Sequence, residues 1–201
     1  MTEVLDTVGK RVTRLEGKDK ASGRAQYTDD MTLPGMLYGA IAVSPHAHAN
    51  ILSYNISAAL EVPGVKAVIT GDDYNWFRSG GHVKDETLLA KGKVRYIGEP
   101  VAAVAARTQK SAEEAARLIQ VEYEELVAVL SIDDAMNPDL PIIHEEFSTY
   151  QMKVTDLDVS GNECWATSAE EGDIDRAWDK CDAVVEETFE TQAQHHLYLE
   201  P

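Results

Sequence analysis

The residues of this chain with the chemistry to bind or react fall into a few clusters. His46-Ala47-His48 has i, i+2 spacing, which on a strand would turn both rings to one face, as some metal sites require. A metal would need a third ligand and outer partners, and none lies nearby, while Pro45 marks a strand-end turn. The simpler expectation is a structural pair. A second cluster, Gln192, Gln194, His195 and His196 with Glu200, crowds hydrogen-bonding groups beside Tyr198 near the end of the sequence. Cys164 and Cys181 form no C-x-x-C pair, which argues against an iron–sulfur or zinc site and suits a reducing compartment. No G-x-S-x-G elbow, Walker loop or G-x-G-x-x-G turn is present, so neither a serine nucleophile nor a phosphate-cradling turn has support. Carboxylates abound, but without a pocket none takes an acid or base role.

The elements that must carry these residues read as short strands with a few helices. Gly35–Val43, Ile51–Ile56 and Val65–Thr70 are strand-like. Between the last two, Ser57 is expected to cap a short helix, Ala58–Glu61, which Pro63-Gly64 ends. Gly71–Lys91, with Trp76 and Phe77, is longer than an ordinary loop and is expected to make contacts. Val101–Ala106 is apolar on both faces and should be a buried central strand, paired in sequence with Val94–Ile97 across Gly98-Glu99-Pro100. Ser111, with Glu114 three residues on, reads as a capping box for a helix whose stripe is Ala112, Ala115, Ala116 and Ile119. Val121–Glu124 returns as a strand, so this section reads strand, helix, strand. Val8–Gly23 shows no sustained period and reads as an extended arm with turns. After Leu130, Asp, Asn and Pro suggest a domain edge; Asp173–Lys180 reads as a short helix and Ala183–Glu190 as a last strand with Val185 and Phe189 inward.

The 201 residues carry a formal net charge of −17, concentrated after Glu113. A phosphate backbone would meet like charge, so nucleic acid is not an expected partner. The acidity reads first as a solvated surface, and second as a docking face for basic subunits. Residues 1–9 hold no apolar signal region and no run is long enough to span a bilayer, so a cytoplasmic protein without membrane association is expected.

Several segments, in order, resemble one family. VGKRVTRLEGKDKASGRAQYTDD (Val8–Asp30) is followed by LPGMLYGAI, SPHAHANI (Ser44–Ile51), PGVKAVITGDD (Pro63–Asp73), VRYIGEPVAAVAA (Val94–Ala106), AEEAARLIQVEYEELVAV and EGDIDRAWDKCDAVVEETFETQAQHHLYLEP (Glu171–Pro201). Together they are similar to the N-terminal part of the molybdenum-binding large subunit of the xanthine dehydrogenase/aldehyde oxidase family. The resemblance implies an α+β fold, the α/β-hammerhead: a mixed β-sheet with a few short helices, followed by the beginning of the molybdopterin-binding domain. It divides the chain into an arm (1–19), the hammerhead (20–145), a connecting segment with a short helix (146–182) and a first strand of the cofactor domain (183–201). The family hydroxylates an aldehyde or N-heterocycle at a molybdenum–pterin cofactor and passes electrons to iron–sulfur clusters and, in many members, to FAD on partner subunits. Its glycine-rich cofactor loops and catalytic glutamate lie downstream of the resembled segment, so no catalytic residue and no metal ligand is expected in this chain, which should be inactive alone. Gln194, His196 and Glu200 match the family's first cofactor-domain strand and are candidates for approaching the cofactor in a complete enzyme. The expected partners are the remaining molybdopterin-binding domains and the iron–sulfur and flavin subunits. The alternative is a stand-alone hammerhead module that binds or assembles other proteins through the Gly71–Lys91 loop.

Overall fold

The structure is a computed structural model that describes residues 8–73, 77–81, 83–151, 160–169 and 171–194. The chain divides into two compact units, Gly35–Gly172 and a unit formed by the described parts of Met1–Pro34 and Asp173–Pro201.

In chain order the elements are α1 (Gly17–Ala21), β1 (Tyr38–Val43), β2 (Ala49–Asn55), α2 (Ser57–Glu61), β3 (Val65–Thr70), β4 (Arg78–Ser79), β5 (Glu86–Thr87), β6 (Lys93–Val94), β7 (Pro100–Ala106), α3 (Gln109–Leu118), β8 (Gln120–Glu125), α4 (Ile132–Met136) and α5 (Ile174–Trp178). Among the described residues no helix is long and apolar enough to cross a membrane.

The larger unit is built on two antiparallel three-stranded sheets. The first runs β1-β7-β3 and the second β6-β2-β8. The all-apolar run is the central strand of the first sheet, as its composition requires, because neighbours cover both of its faces for part of its length. Register sets the faces: Ala40, Ala42, Ala102, Val104 and Val68 point to one side, where α2 and α3 bury Ala59, Ala112 and Ala115 against them. Ala49, Ala90, Val94 and Val101 form a second cluster, joined by Ile51, Tyr54, Val121 and Tyr123 of the second sheet.

Three expectations within this unit need correction. The cap of α3 is Thr108, whose hydroxyl accepts the Ser111 N–H at 3.1 Å; Ser111 lies inside the first turn and forms no box with Glu114. Thr108 has the extended backbone that a cap needs, and the helix therefore begins at Gln109. Ser57 is likewise the first residue of α2 rather than its cap; its N–H is held by the side-chain oxygen Oδ1 of Asn55 at 3.2 Å. The β7–α3–β8 section is strand, helix, strand as expected, with α3 laid on the first sheet; β7 and β8 belong to different sheets, so α3 is a crossover between them. The 71–91 stretch is not simply a loop, since β4 and β5 pair within it.

In the terminal unit, Val8–Gly23 contains the short helix α1 instead of being extended throughout. Asp173 caps α5 by accepting the Arg176 N–H at 3.0 Å. Ala183–Glu190 forms no strand: Val185 is 82% and Phe189 89% exposed, because no described segment supplies a ladder partner.

Candidate functional site

His46 and His48 sit in the bend between β1 and β2, outside any strand, so their i, i+2 spacing does not bring the rings to one face. The His46 ring lies against Tyr123 with centroids 4.9 Å apart. His48 is buried, and its Nδ1 is 2.6 Å from the carbonyl oxygen of Val127, a contact that ties the bend to the chain leaving β8. Each ring thus has its own structural partner. His48 Nε2 is buried without a partner, and no group of three His, Cys, Asp or Glu residues among those described is placed to hold a metal.

The same bend is fastened to the Gly98-Glu99-Pro100 turn. Ser44 N–H donates to the Glu99 carbonyl at 2.9 Å and Gly98 N–H returns to the Ser44 carbonyl at 2.8 Å. Glu99 is itself buried, and its carboxylate accepts the Arg95 N–H at 2.5 Å. Burial pushes this carboxyl above its ordinary value, against the opposing pull of the Arg95 N–H, the Arg95 charge and the Tyr96 N–H. The positive φ of Gly98, 90°, supplies the turn that lets Glu99 fold back on the segment before it. A buried carboxylate that caps backbone donors of its own turn is positioned to shape the junction of β6 and β7.

The opposite face of the first sheet is bare. Ile41, Val43, Ala67 and Ile69 are exposed there, with Ala103 and Ala105 only partly covered. This surface contains no charge, and β1 lies at the edge of its sheet with neither proline nor charged side chain to blunt it. Soluble proteins usually protect such an edge. A cavity of about 520 Å³ runs alongside, lined by Ala40, Ala42 and Val43 of β1, Glu113, Ala116 and Arg117 of α3, Ile119 after it, and Val121 of β8. The sequence marks β1 as a strand but carries no sign that one face is left uncovered.

Of the terminal candidates, Gln194 is exposed and outside regular structure, while His196 and Glu200 lie outside the described residues, as does Trp76 of the contact loop. Phe77 is exposed. Cys164 and Cys181 are free, exposed thiols.

Residues 22–127, just over half of the chain, match the family model described as aldehyde oxidase and xanthine dehydrogenase, a/b hammerhead domain. The chain is 34% identical, over its whole length, to the nicotinate dehydrogenase large molybdopterin subunit of Eubacterium barkeri, of which it covers 44%. It is 35% identical over 96% of its length to the xanthine dehydrogenase of Emericella nidulans, covering 13% of that protein. Quinoline 2-oxidoreductase from Pseudomonas putida 86 superposes with a TM-score of 0.60 at 40% identity, over 65% of this chain and 18% of the other. The two-sheet unit with its crossover helix is an α/β-hammerhead fold, and the chain belongs to the aldehyde oxidase and xanthine dehydrogenase family. It corresponds to the N-terminal part of that family's large subunits and spans less than half the length of the curated relatives quoted.

The described residues do not fit the molybdopterin group named for the first of these relatives. They offer no ligand cluster for its metal, and with the exception of His48 Nε2 the buried side-chain polar atoms already have partners within the chain.

Proposed function

We propose that this chain is the supporting N-terminal part of a molybdenum hydroxylase, which as a whole oxidises an aldehyde or N-heterocycle at a molybdenum–pterin cofactor held by other protein. The bare sheet face carries this reading: an uncharged surface containing Ile41, Val43 and Ile69 beside an unblunted edge strand is one that further protein should cover. The covering protein is the remaining molybdopterin-binding domains, since the relatives contain far more chain than is matched here. The cofactor would supply the oxygen-transfer and redox chemistry. This chain's contribution is to hold the bend at His48 and the turn at Glu99 rigid, and to exclude water from the face it covers. Gln194, His196 and Glu200 are the candidates for approaching the cofactor, and iron–sulfur and flavin subunits are the electron-accepting partners. The exposed thiols support a reducing, cytoplasmic setting.

The test is purification of the chain and of the assembly that it joins in its source cell. Molybdenum, pterin and aldehyde- or heterocycle-dependent turnover are expected in the assembly and not in the 201-residue chain alone. Turnover by the isolated chain, or an assembly lacking molybdenum, refutes the reading.

A further inference from the structure

The sequence Lys91-Gly-Lys93-Val-Arg95 alternates cation and small or apolar residue. Lys93 and Arg95 flank Val94 and lie on the other side of the chain from it, and the bend at Gly92, with φ 71°, brings Lys91 to the same cavity. Val94 is fully buried, paired with Ala49 across β6 and β2, so the cationic side is fixed outward. There the three meet Arg78, brought in by the β4–β5 ribbon, around a cavity of about 530 Å³ that also includes Thr87, Glu145 and Glu146. Four cations against two carboxylates leave a formal surplus of two positive charges in the lining, within a chain whose own net charge is −17.

The internal counter-ions hold Arg78 and Lys91 loosely. Lys93 Nζ is 3.1 Å from Glu145, whose side chain is well exposed, and Arg78 is 3.4 Å from Glu146. Lys91 reaches Asp72, outside the lining, at 3.9 Å. The Arg78–Glu146 and Lys91–Asp72 pairs are long and open to solvent, contribute roughly 0–1 kcal/mol and can yield to a more highly charged anion, whereas the Lys93 side chain, only 16% exposed, keeps Glu145 beside it. The arginines are held in place by other contacts: Arg95 Nε donates to the Ile143 carbonyl at 3.2 Å, and the Arg78 guanidinium lies over the Tyr150 ring, 4.5 Å from its centroid. Nearby, half-buried His144 has its pKa lowered, first by burial and then by the Arg95 charge, with Arg78 adding to the effect while Asp85 and Glu146 oppose it.

We propose that this cavity is an anion site for a phosphate dianion, either free or as the terminal group of a phosphate monoester. Its charge surplus matches a dianion, and its volume lies in the range of small-molecule sites. The site is separate from the bare sheet face and does not depend on the molybdenum reading.

The test is calorimetric titration of the full chain at low ionic strength with inorganic phosphate and, separately, with adenosine monophosphate, while the ring protons of His144 are followed by NMR. Saturable binding that raises the His144 titration midpoint is expected. Lys91→Met and Arg95→Met should each weaken it roughly tenfold, and the surface control Lys110→Met should leave it within about twofold. Lys91→Met is informative even if Arg95→Met loosens the fold, because the ion pair Lys91 makes with Asp72 is long and exposed. Tighter binding of adenosine monophosphate identifies an ester as the ligand, and equal binding identifies free phosphate. Absence of binding, binding insensitive to Lys91→Met, or capture of a glutamate-rich peptide in place of phosphate overturns the proposal.

Discussion

Replacing Ile41 and Ile69 together by threonine tests whether the bare face is an internal surface of a larger subunit. Ile41 is 59% and Ile69 42% exposed, so about half of the apolar area of each remains to be covered. Full burial of an isoleucine is favourable by about 3 kcal/mol, so covering what remains of the two contributes roughly 3 kcal/mol, or about a hundredfold in an equilibrium constant. Threonine keeps the branched Cβ that suits a strand, and each exposed change should alter the isolated chain by less than about 0.5 kcal/mol. Urea denaturation is therefore run on two proteins, the chain alone and the larger molybdopterin subunit proposed to contain it. The double variant should destabilise the complete subunit by about 3 kcal/mol and leave the chain nearly unchanged. Equal effects in both, or none in the complete subunit, would show that nothing packs on this face.

Two further outcomes follow from the interior. Gly71→Ala would place its Cβ 1.8 Å from the backbone oxygen of Ala90, which also accepts the Tyr54 hydroxyl at 3.0 Å, so the backbone must move; a loss of about 3 kcal/mol, the upper end of overpacking costs, is expected from the denaturation midpoint, and a change below about 0.5 kcal/mol would contradict the close approach. Glu99→Ala strips the Arg95 N–H of its acceptor and should cost about 1–3 kcal/mol, whereas Glu99→Gln retains an acceptor without a buried charge and should be neutral or stabilising at neutral pH. Because the folded carboxyl pKa is raised, the folded chain holds this proton more tightly, so its contribution to stability is complete below the ordinary glutamate value and is lost as pH rises through the folded value; Glu99→Gln should flatten that part of the pH–stability curve, and an unaltered curve would exclude Glu99 as its source.

Local pattern is readable in the sequence, and pairing is not. Val101–Ala106 announces a central strand because its successive residues all lack charge, and β7 is the central strand of its sheet, although Ala103 and Ala105 on one face are only partly covered. The helix stripe of Ala112 and Ala115 is equally plain, but two hydroxyl residues three apart, Thr108 and Ser111, both suit a cap, and only the backbone conformation chooses Thr108. Nothing local distinguishes β7 and β8 as members of one sheet or two, since the partners of each lie tens of residues away. The same limit explains Ala183–Glu190, where the alternation resembles a strand and the required partner is not among the described residues. The cation row at 91, 93 and 95 has a readable period of two, masked by Gly92 and Val94 when the segment is scanned only for apolar runs. Of the site candidates, His46 and His48 lie in a bend rather than on a strand, with His46 against Tyr123 and His48 at the Val127 carbonyl, neighbours that no local pattern announces.

The composition of the core connects the fold to the proposed role. Its buried positions are mostly alanine and valine, including Ala49, Ala59, Ala90, Ala102, Ala106, Ala112 and Ala115, and the largest fully buried side chains are Val94, Val101 and Ser44. Small side chains let α3 lie close to the first sheet, but each removes little apolar area from water, and hydrophobic stabilisation scales with that area. Leu89 and Tyr150 are buried, but the larger aliphatic residues Ile41, Ile69 and Leu37 are on the outside. A domain with small residues within and large ones on a bare sheet face gains most of its remaining burial by association. That distribution suits the proposed supporting role: close packing inside, and larger apolar side chains on a face available for other protein to cover.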